Sequence, residues 1–391
     1  MLKMQGRMRG DDTSVRRITQ LDGLRGLAAL GVMVFHYQHF GGDKALYPYA
    51  ATSPTIGWLY LHGWMLVDFF FLLSGVVITR KYLDLVATRR LSRRTFFWLR
   101  FSRVYPLHLL TLLFVAALQW GRVWFLHPYV LYPQNDLYHF VLNLGLLQAG
   151  VVDEGFSFNG PSWSIGVEMM VYLVFFQIAK LRGAHFASAA AVAFVGALVV
   201  CGMTLPAPGV TLIGVYPIVN SSIGRAVLGF FGGSLCYLGL LRASELGLSR
   251  RIGYAALAAL AAMFVAGKHF ENDAFIGGMA SRAVLHYGLT LFPLVLVAAL
   301  EVRPLGWLLS LWPLKHLGDI SYAMYLLHVP LQMALLTYAE WKHITLPTER
   351  PLFLVTFTGT VLVLATVTHY FFEVPARAWL RRRLALSAAP S

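Results

Sequence analysis

The chain has 391 residues, 58% of them hydrophobic and 13% charged, with a mean hydropathy of +0.63. Soluble domains lie closer to half apolar and a quarter charged, so a soluble globular fold is excluded. The net charge of +14 would point to nucleic acid in a soluble protein, but here the basic residues cluster in short stretches between apolar runs, as in cytoplasmic loops, and no nucleic-acid partner is expected.

Apolar segments fall at roughly 21–41, 57–82, 99–125, 137–151, 165–182, 186–205, 215–241, 252–268, 279–300, 317–338 and 352–374. They predict an all-α fold, a polytopic membrane helical bundle in contact with membrane lipids. Residues 1–20 are polar and basic without a cleavable signal pattern, so the first span is expected to stay attached as an anchor. The groups Arg16/Arg17, Arg80 to Arg103, Lys180/Arg182, Arg242 to Arg251, Arg303 to Lys315 and Arg381 to Arg383 read as cytoplasmic. That alternation leaves no crossing for 137–151, which is also shorter than the roughly 17 residues a spanning helix needs. The expectation is about ten transmembrane helices plus a short re-entrant or interfacial segment near 137–151, with "VVDEGFSFNGPSWS" as an outer loop. Both termini are then cytoplasmic in the inner (plasma) membrane: a segment 1–20, a single transmembrane domain 21–382 and a tail 383–391. No internal repeat is evident, which weighs against inverted-repeat transporters. Cys201 and Cys236 are isolated in apolar runs and form neither a disulfide framework nor a metal cluster.

Charge inside a span costs several kcal/mol, so each such residue marks function or pairing. In "LDGLRGLAALGVMVFHY", Arg25 and His36 are eleven residues apart. At about 100° per residue they share one helix face, roughly 16 Å apart along the axis. Such a stripe can hold an anion at its mouth and do chemistry further in; equally, Arg25 can snorkel to lipid phosphates and His36 can be a bundle hydrogen bond. Asp68, inside the second segment, needs a partner, either an arginine on another helix or the reaction itself. Arg89, Arg90, Arg93 and Arg94 read as a topology signal, whereas Arg100 and Arg103 enter the next span three residues apart and can grip a phosphate. In "FNGPSWSIGVEMMVY", Gly160 and Pro161 make a turn, Ser162 or Ser164 can cap the helix, and Glu168 is either a dipole-stabilising carboxylate or an acid beside a histidine. "GDISYAMYLLHVP" puts Ser321 and His328 on one stripe with Tyr322 beside it. His328 is open between a second base, a substrate contact and a structural histidine before the Pro330 kink. His36 and His39 could share a metal, but no further ligand lies at helical spacing and no metal is expected. GxSxG, HExxH and P-loop patterns are all absent.

These residues resemble the acyltransferase-3 family of integral-membrane acyltransferases, which modify envelope sugars, exopolysaccharides and some small molecules. The likeness runs from "LDGLRGLAALGVMVFHY" through "LVDFFFLLSGVVITR", "FWLRFSRVYPLHLL", "PSWSIGVEMMVY" and "GDISYAMYLLHVP" to "HYFFEVPARAW". The resemblance implies a core of roughly ten spans taking an acyl group, usually acetyl, from cytoplasmic acyl-CoA. Its Arg-x10-His signature falls on Arg25 and His36, its Arg-x-x-Arg pair on Arg100 and Arg103, and its Ser-Trp-Ser-x-x-x-Glu motif on Ser162, Trp163, Ser164 and Glu168. Met169 stands where the family often carries a second polar residue. Some members add an esterase-like domain; none is expected within this chain.

The combined expectation is that Arg25, Arg100 and Arg103 bind the phosphates of acetyl-CoA or another acyl-CoA, a co-substrate rather than a bound cofactor. His36 acts as base or transient acyl carrier, Glu168 orients it, and Asp68, Ser162, Trp163, Ser164, Tyr322 and His328 support the acceptor side. The acceptor is a hydroxyl of a glycan, glycolipid or small glycosylated molecule. Intramembrane Arg, His, Asp and Glu would also suit a transporter or flippase for an amphiphile, which would show no acyl-CoA binding. A structural partner in an envelope assembly would leave the aligned polar residues unexplained.

Overall fold

A computed structural model describes residues 18–41, 57, 59–60, 63–125, 127–149, 155–204, 221–267 and 290–384. Most of the expected N-terminal segment, residues 151–154 of the outer loop, 279–289 of the ninth apolar segment and the tail beyond 384 lie outside these residues.

Among the described residues the fold is helical, with no strand. The helices are α1 (Thr19–His36), α2 (Met65–Ala87), α3 (Arg93–Trp124), α4 (Leu137–Leu144), α5 (Trp163–Ile178), α6 (Ala184–Thr204) and α7 (Ser221–Glu245). There follow α8 (Ser249–Gly267), α9 (Phe292–Ala299), α10 (Leu305–Leu309), α11 (Trp312–Trp341), α12 (Pro351–Thr368) and α13 (Val374–Arg383). Among the described residues, six stretches are long and apolar enough to cross a membrane: Arg93–Trp124, Gly160–Ile178, Ala184–Cys201, Ser222–Glu245, Trp312–Trp341 and Pro351–Arg383. Helices α1 and α2 fall outside that set because they carry charge, Asp22 and Arg25 in one and Asp68, Arg80, Lys81 and Asp84 in the other. Both are largely buried against neighbouring helices.

Two close helix pairs position everything else. α1 and α11 run parallel, since Arg25 meets Gly318 and Ser321 while His36 meets His328 and Gln332 further along both helices. Gly26 allows this crossing; a Cβ there would lie 2.7 Å from Gly318 N. The second pair, α2 and α7, closes over Gly229, where a Cβ would lie 2.6 Å from Phe71 Cβ, and is pinned by a buried Thr79–Ser234 hydrogen bond of 2.8 Å. Small residues serve here because lipid tails offer no hydrophobic drive between helices and close packing must supply the attraction.

α3 starts on a conventional cap, with Ser92 Oγ accepting from Thr95 N at 3.0 Å. Its 32 residues reach about 48 Å, well beyond a hydrocarbon core of about 30 Å, so its ends protrude. The segment expected not to cross forms only the eight-residue α4, capped by Asp136, followed by turns. An aromatic cluster of Phe96, Tyr172, Phe175 and Phe230 joins α3, α5 and α7 at the centre.

Candidate functional site

Three histidines meet at the far end of the α1–α11 contact. His36 ends α1, His39 follows on a 3-10 turn (Tyr37–Phe40), and His328 comes from α11. Their ring centroids lie 5.0 Å (His36–His328) and 5.2 Å (His36–His39) apart. His36 Nδ1 lies 3.0 Å from Val32 O and 3.0 Å from His328 Nε2. Among the described residues no hydrogen bond reaches His36 Nε2. Gln332, fully buried one turn beyond His328, donates from Nε2 to the His36 carbonyl at 2.9 Å, and its Oε1 lies 3.3 Å from His39 Nδ1. Among the described residues no group of three or more His, Cys, Asp or Glu side chains could hold a metal ion.

The Pro-Ser-Trp-Ser stretch is tied to the same helix. Tyr325 donates to Pro161 O at 2.8 Å and meets Ser164 Oγ at 2.9 Å, with its ring 6.0 Å from that of His328. Pro330 has no N–H to offer the carbonyl of Leu326 one turn back. Asn159 Nδ2 bonds that carbonyl instead, at 2.9 Å, so the loop satisfies the helix exactly where the proline opens it. Ser162 is buried at the head of α5 and accepts from Gln148 Nε2 at 3.1 Å. Trp163 faces elsewhere, 5.2 Å from the Arg225 guanidinium.

Glu168 is not among the hydrogen-bond partners of His36. Its carboxylate accepts from Tyr172 Oη at 2.6 Å, and that hydroxyl meets Ser74 Oγ at 2.9 Å. The groups within hydrogen-bond distance of the His36 ring are Val32 O and His328 Nε2. Asp68 has its arginine: Arg225 Nε on α7 lies 2.8 Å from Asp68 Oδ1, with both side chains buried and the guanidinium also bonded to Trp64 O.

Cations lie towards the other end of α11, Arg25 against Gly318 and Ser321 and Arg103 near Tyr322. Arg25 bonds Ser321 Oγ (3.0 Å), Gly318 O (2.7 Å) and Asp22 Oδ1 (2.9 Å), which locks α1 to α11. Arg100 is only 6% exposed; its Nη2 donates to Tyr82 Oη at 2.7 Å, and its Nε has no hydrogen-bond partner. Arg103 is half-buried and makes no hydrogen bond or ion pair with a described residue. Lys81 lies within electrostatic reach of Arg100, Arg103 and Arg381, and Arg381 Nε on α13 approaches Ser102 Oγ at 3.4 Å. Tyr322 donates to Val104 O and lies within reach of Arg103, Glu168 and Tyr325. Tyr322, Tyr325 and His328 recur every three residues on α11, each turned about 60° from the last, as the helix rises about 9 Å from the level of Arg103 to the histidines.

The chain itself has counterparts among known proteins. The acyltransferase domain of the acyltransferase-3 type matches residues 18–370. The chain belongs to the acyltransferase-3 family. It is 33% identical over 173 residues to the acyltransferase MdmB of Streptomyces mycarofaciens, covering 41% of this chain and 39% of that protein. It is 31% identical over 177 residues to protein 2 in the picA locus of Rhizobium radiobacter, covering 41% of this chain and 81% of that protein. The chain thus spans about two fifths of the length of MdmB. No solved structure matches it.

Sequence reading missed Gln332, Arg225, Lys81, Arg381 and the partnership of His39. Arg225 was the most accessible of these, a lone arginine inside the apolar run "SSIGRAVLGFFGG".

Proposed function

We propose that the protein is an integral-membrane O-acyltransferase moving an acyl group, most often acetyl, from cytoplasmic acyl-CoA to a hydroxyl of a glycan or glycoconjugate. The supporting observation is the course of α11, which passes from an under-paired basic cluster near Tyr322 to His328 and, beside it, the unbonded ring nitrogen of His36. Arg100, Arg103, Lys81 and Arg381 bind the donor's phosphates, and Arg25 adds its charge while holding α1 in register. The pantetheine arm lies along Tyr322 and Tyr325 and delivers the thioester to His36. There Nε2 takes the proton of the acceptor hydroxyl as its oxygen attacks the thioester carbonyl. The C–S bond breaks, and the CoA thiolate leaves with that proton from the imidazolium. An acyl-histidine route would use the same nitrogen as nucleophile. Both termini sit on the cytoplasmic side of the inner membrane, and the acceptor enters from the outer side or the lipid.

Full-length protein in lipid nanodiscs tests this with labelled acetyl-CoA. Saturable binding and thiol release, abolished in His36→Ala with binding retained, are expected. Full activity in that variant, or no acyl-CoA binding at all, overturns the reading, and the latter favours a transporter or flippase. Protein-bound label formed faster than turnover, without acceptor, identifies the acyl-histidine route.

A further inference from the structure

The contacts around His328 admit one proton arrangement. Its Nδ1 faces the Met324 carbonyl at 3.2 Å, and a carbonyl only accepts, so Nδ1 carries the proton. In the neutral ring Nε2 is then a lone pair, aimed at His36 Nδ1 from 3.0 Å. His36 Nδ1 also faces Val32 O at 3.0 Å. Two acceptors converge on that one nitrogen, so it carries hydrogen. The neutral His36 ring is therefore the Nδ1–H tautomer, with its lone pair on Nε2, the nitrogen that no described residue bonds. Free histidine in water favours the opposite tautomer, so the site imposes this one.

We infer that His328 is a positioning residue that holds His36 in the Nδ1–H form and so keeps Nε2 available as a base. It touches no reacting atom. It accepts from His36 Nδ1–H in the neutral ring and again in the imidazolium that forms on proton uptake, the service that outer hydrogen-bond partners give functional histidines. Its own ring is fixed by the Met324 carbonyl, by full burial, and by the loop contact of Asn159 at Leu326 beside Pro330. Val32 O supports the same tautomer, but it belongs to the helix of His36 and cannot set the ring against α11. The catalytic consequence rests on the proposed role of His36; the tautomer does not.

The test uses full-length protein labelled with ¹⁵N in its imidazoles, in nanodiscs, with the His36 resonances assigned by their loss in His36→Ala. Wild type is expected to show a protonated Nδ1 and an unprotonated Nε2 for His36. His328→Gln, whose Oε1 can replace the acceptor, should keep that pattern; His328→Asn, too short to reach, removes one of the two acceptors and should raise the share of His36 rings protonated on Nε2. A wild-type His36 protonated on Nε2, or no change in His328→Asn, overturns the inference, and the wild-type spectrum alone decides if the variant fails to fold. In acetyl-CoA turnover, His328→Asn should lower kcat about 10- to 100-fold with KM unchanged, while His328→Gln recovers most of it. Equal losses in Asn and Gln, or a change confined to KM, also overturn it. The stated tautomer combined with full turnover in His36→Ala would instead defeat the proposed function and leave the tautomer standing.

Discussion

Arg225 and Asp68 form an ion pair across α2 and α7, 2.8 Å apart, with side chains only 6% and 5% exposed. The guanidinium is boxed between Trp64 and Trp163, its carbon 5.0 Å and 5.2 Å from the two ring centroids. Removing one partner strands the other charge in an apolar interior, which costs about 3–5 kcal/mol. Asp68→Asn and Arg225→Met should therefore each depress the melting temperature strongly. The double variant Asp68→Leu/Arg225→Met should recover most of the loss, since an apolar pair of similar volume is close to neutral. Thermal unfolding in detergent distinguishes this from a catalytic Asp68: turnover lost at unchanged stability would contradict the structural assignment.

That pair also shows how far the sequence reaches. The hydropathy runs mark out the helices, and the shortness of 137–151 agrees with the eight-residue α4, because both are local properties of the chain. Arg25 and His36 share a face by helical period alone. The partners of Asp68 and His36, however, lie 157 and 292 residues away, and no period links them. Those contacts follow from which glycine faces let helices close, a matter of packing between segments. Glu168 illustrates the same gap, since its place beside Tyr172 depends on one turn of its own helix and not on the histidine it was expected to meet.

Gly26 offers a direct probe of that packing. A side chain there meets the Leu317 Cβ at 2.6 Å and the Gly318 backbone, so α1 and α11 must separate. Gly26→Leu should cost about 1–3 kcal/mol from overpacking. Turnover should fall further than stability, by about 100-fold, because the His36–His328 contact is carried by the same two helices and catalytic geometry tolerates little displacement. Comparing kcat with melting temperature checks this; equal, modest effects on both would show the crossing to be slack.

Outside the spans, Asp136 caps α4 by accepting from His139 N at 2.9 Å, and this backbone hydrogen bond holds its carboxyl below the usual carboxylate range. A carboxyl lowered on folding stabilises above its unfolded value, near about 4, and loses that contribution as pH falls through its folded value. Asp136 is largely exposed, so screening keeps the effect small. Asp136→Asn keeps a capping oxygen and should flatten this acid-side dependence, while Asp136→Ala should cost about 0.5–2 kcal/mol at neutral pH. Melts from about pH 7 to about pH 3 separate the two; identical pH dependence in wild type and Asp136→Asn would exclude the cap as its source.

The basic cluster makes the remaining prediction because its members differ in how they are used within the fold. Arg103 bonds to no described residue, so Arg103→Ala should leave the melting temperature almost unchanged while raising the KM for acetyl-CoA about 10-fold or more, the value of one charge-assisted hydrogen bond. Arg381→Ala should act in the same direction, its contact to Ser102 being long at 3.4 Å. Arg100 is different: it is buried and holds the Tyr82 hydroxyl, so Arg100→Ala should lower stability as well as donor affinity. Arg103→Lys should recover only part of the loss, because an ammonium cannot make the paired contact of a guanidinium with a phosphate. Added salt should raise the wild-type KM more than that of Arg103→Ala, since the variant has less charge to screen. An unchanged KM in both Arg103→Ala and Arg381→Ala would remove the donor from this end of the bundle.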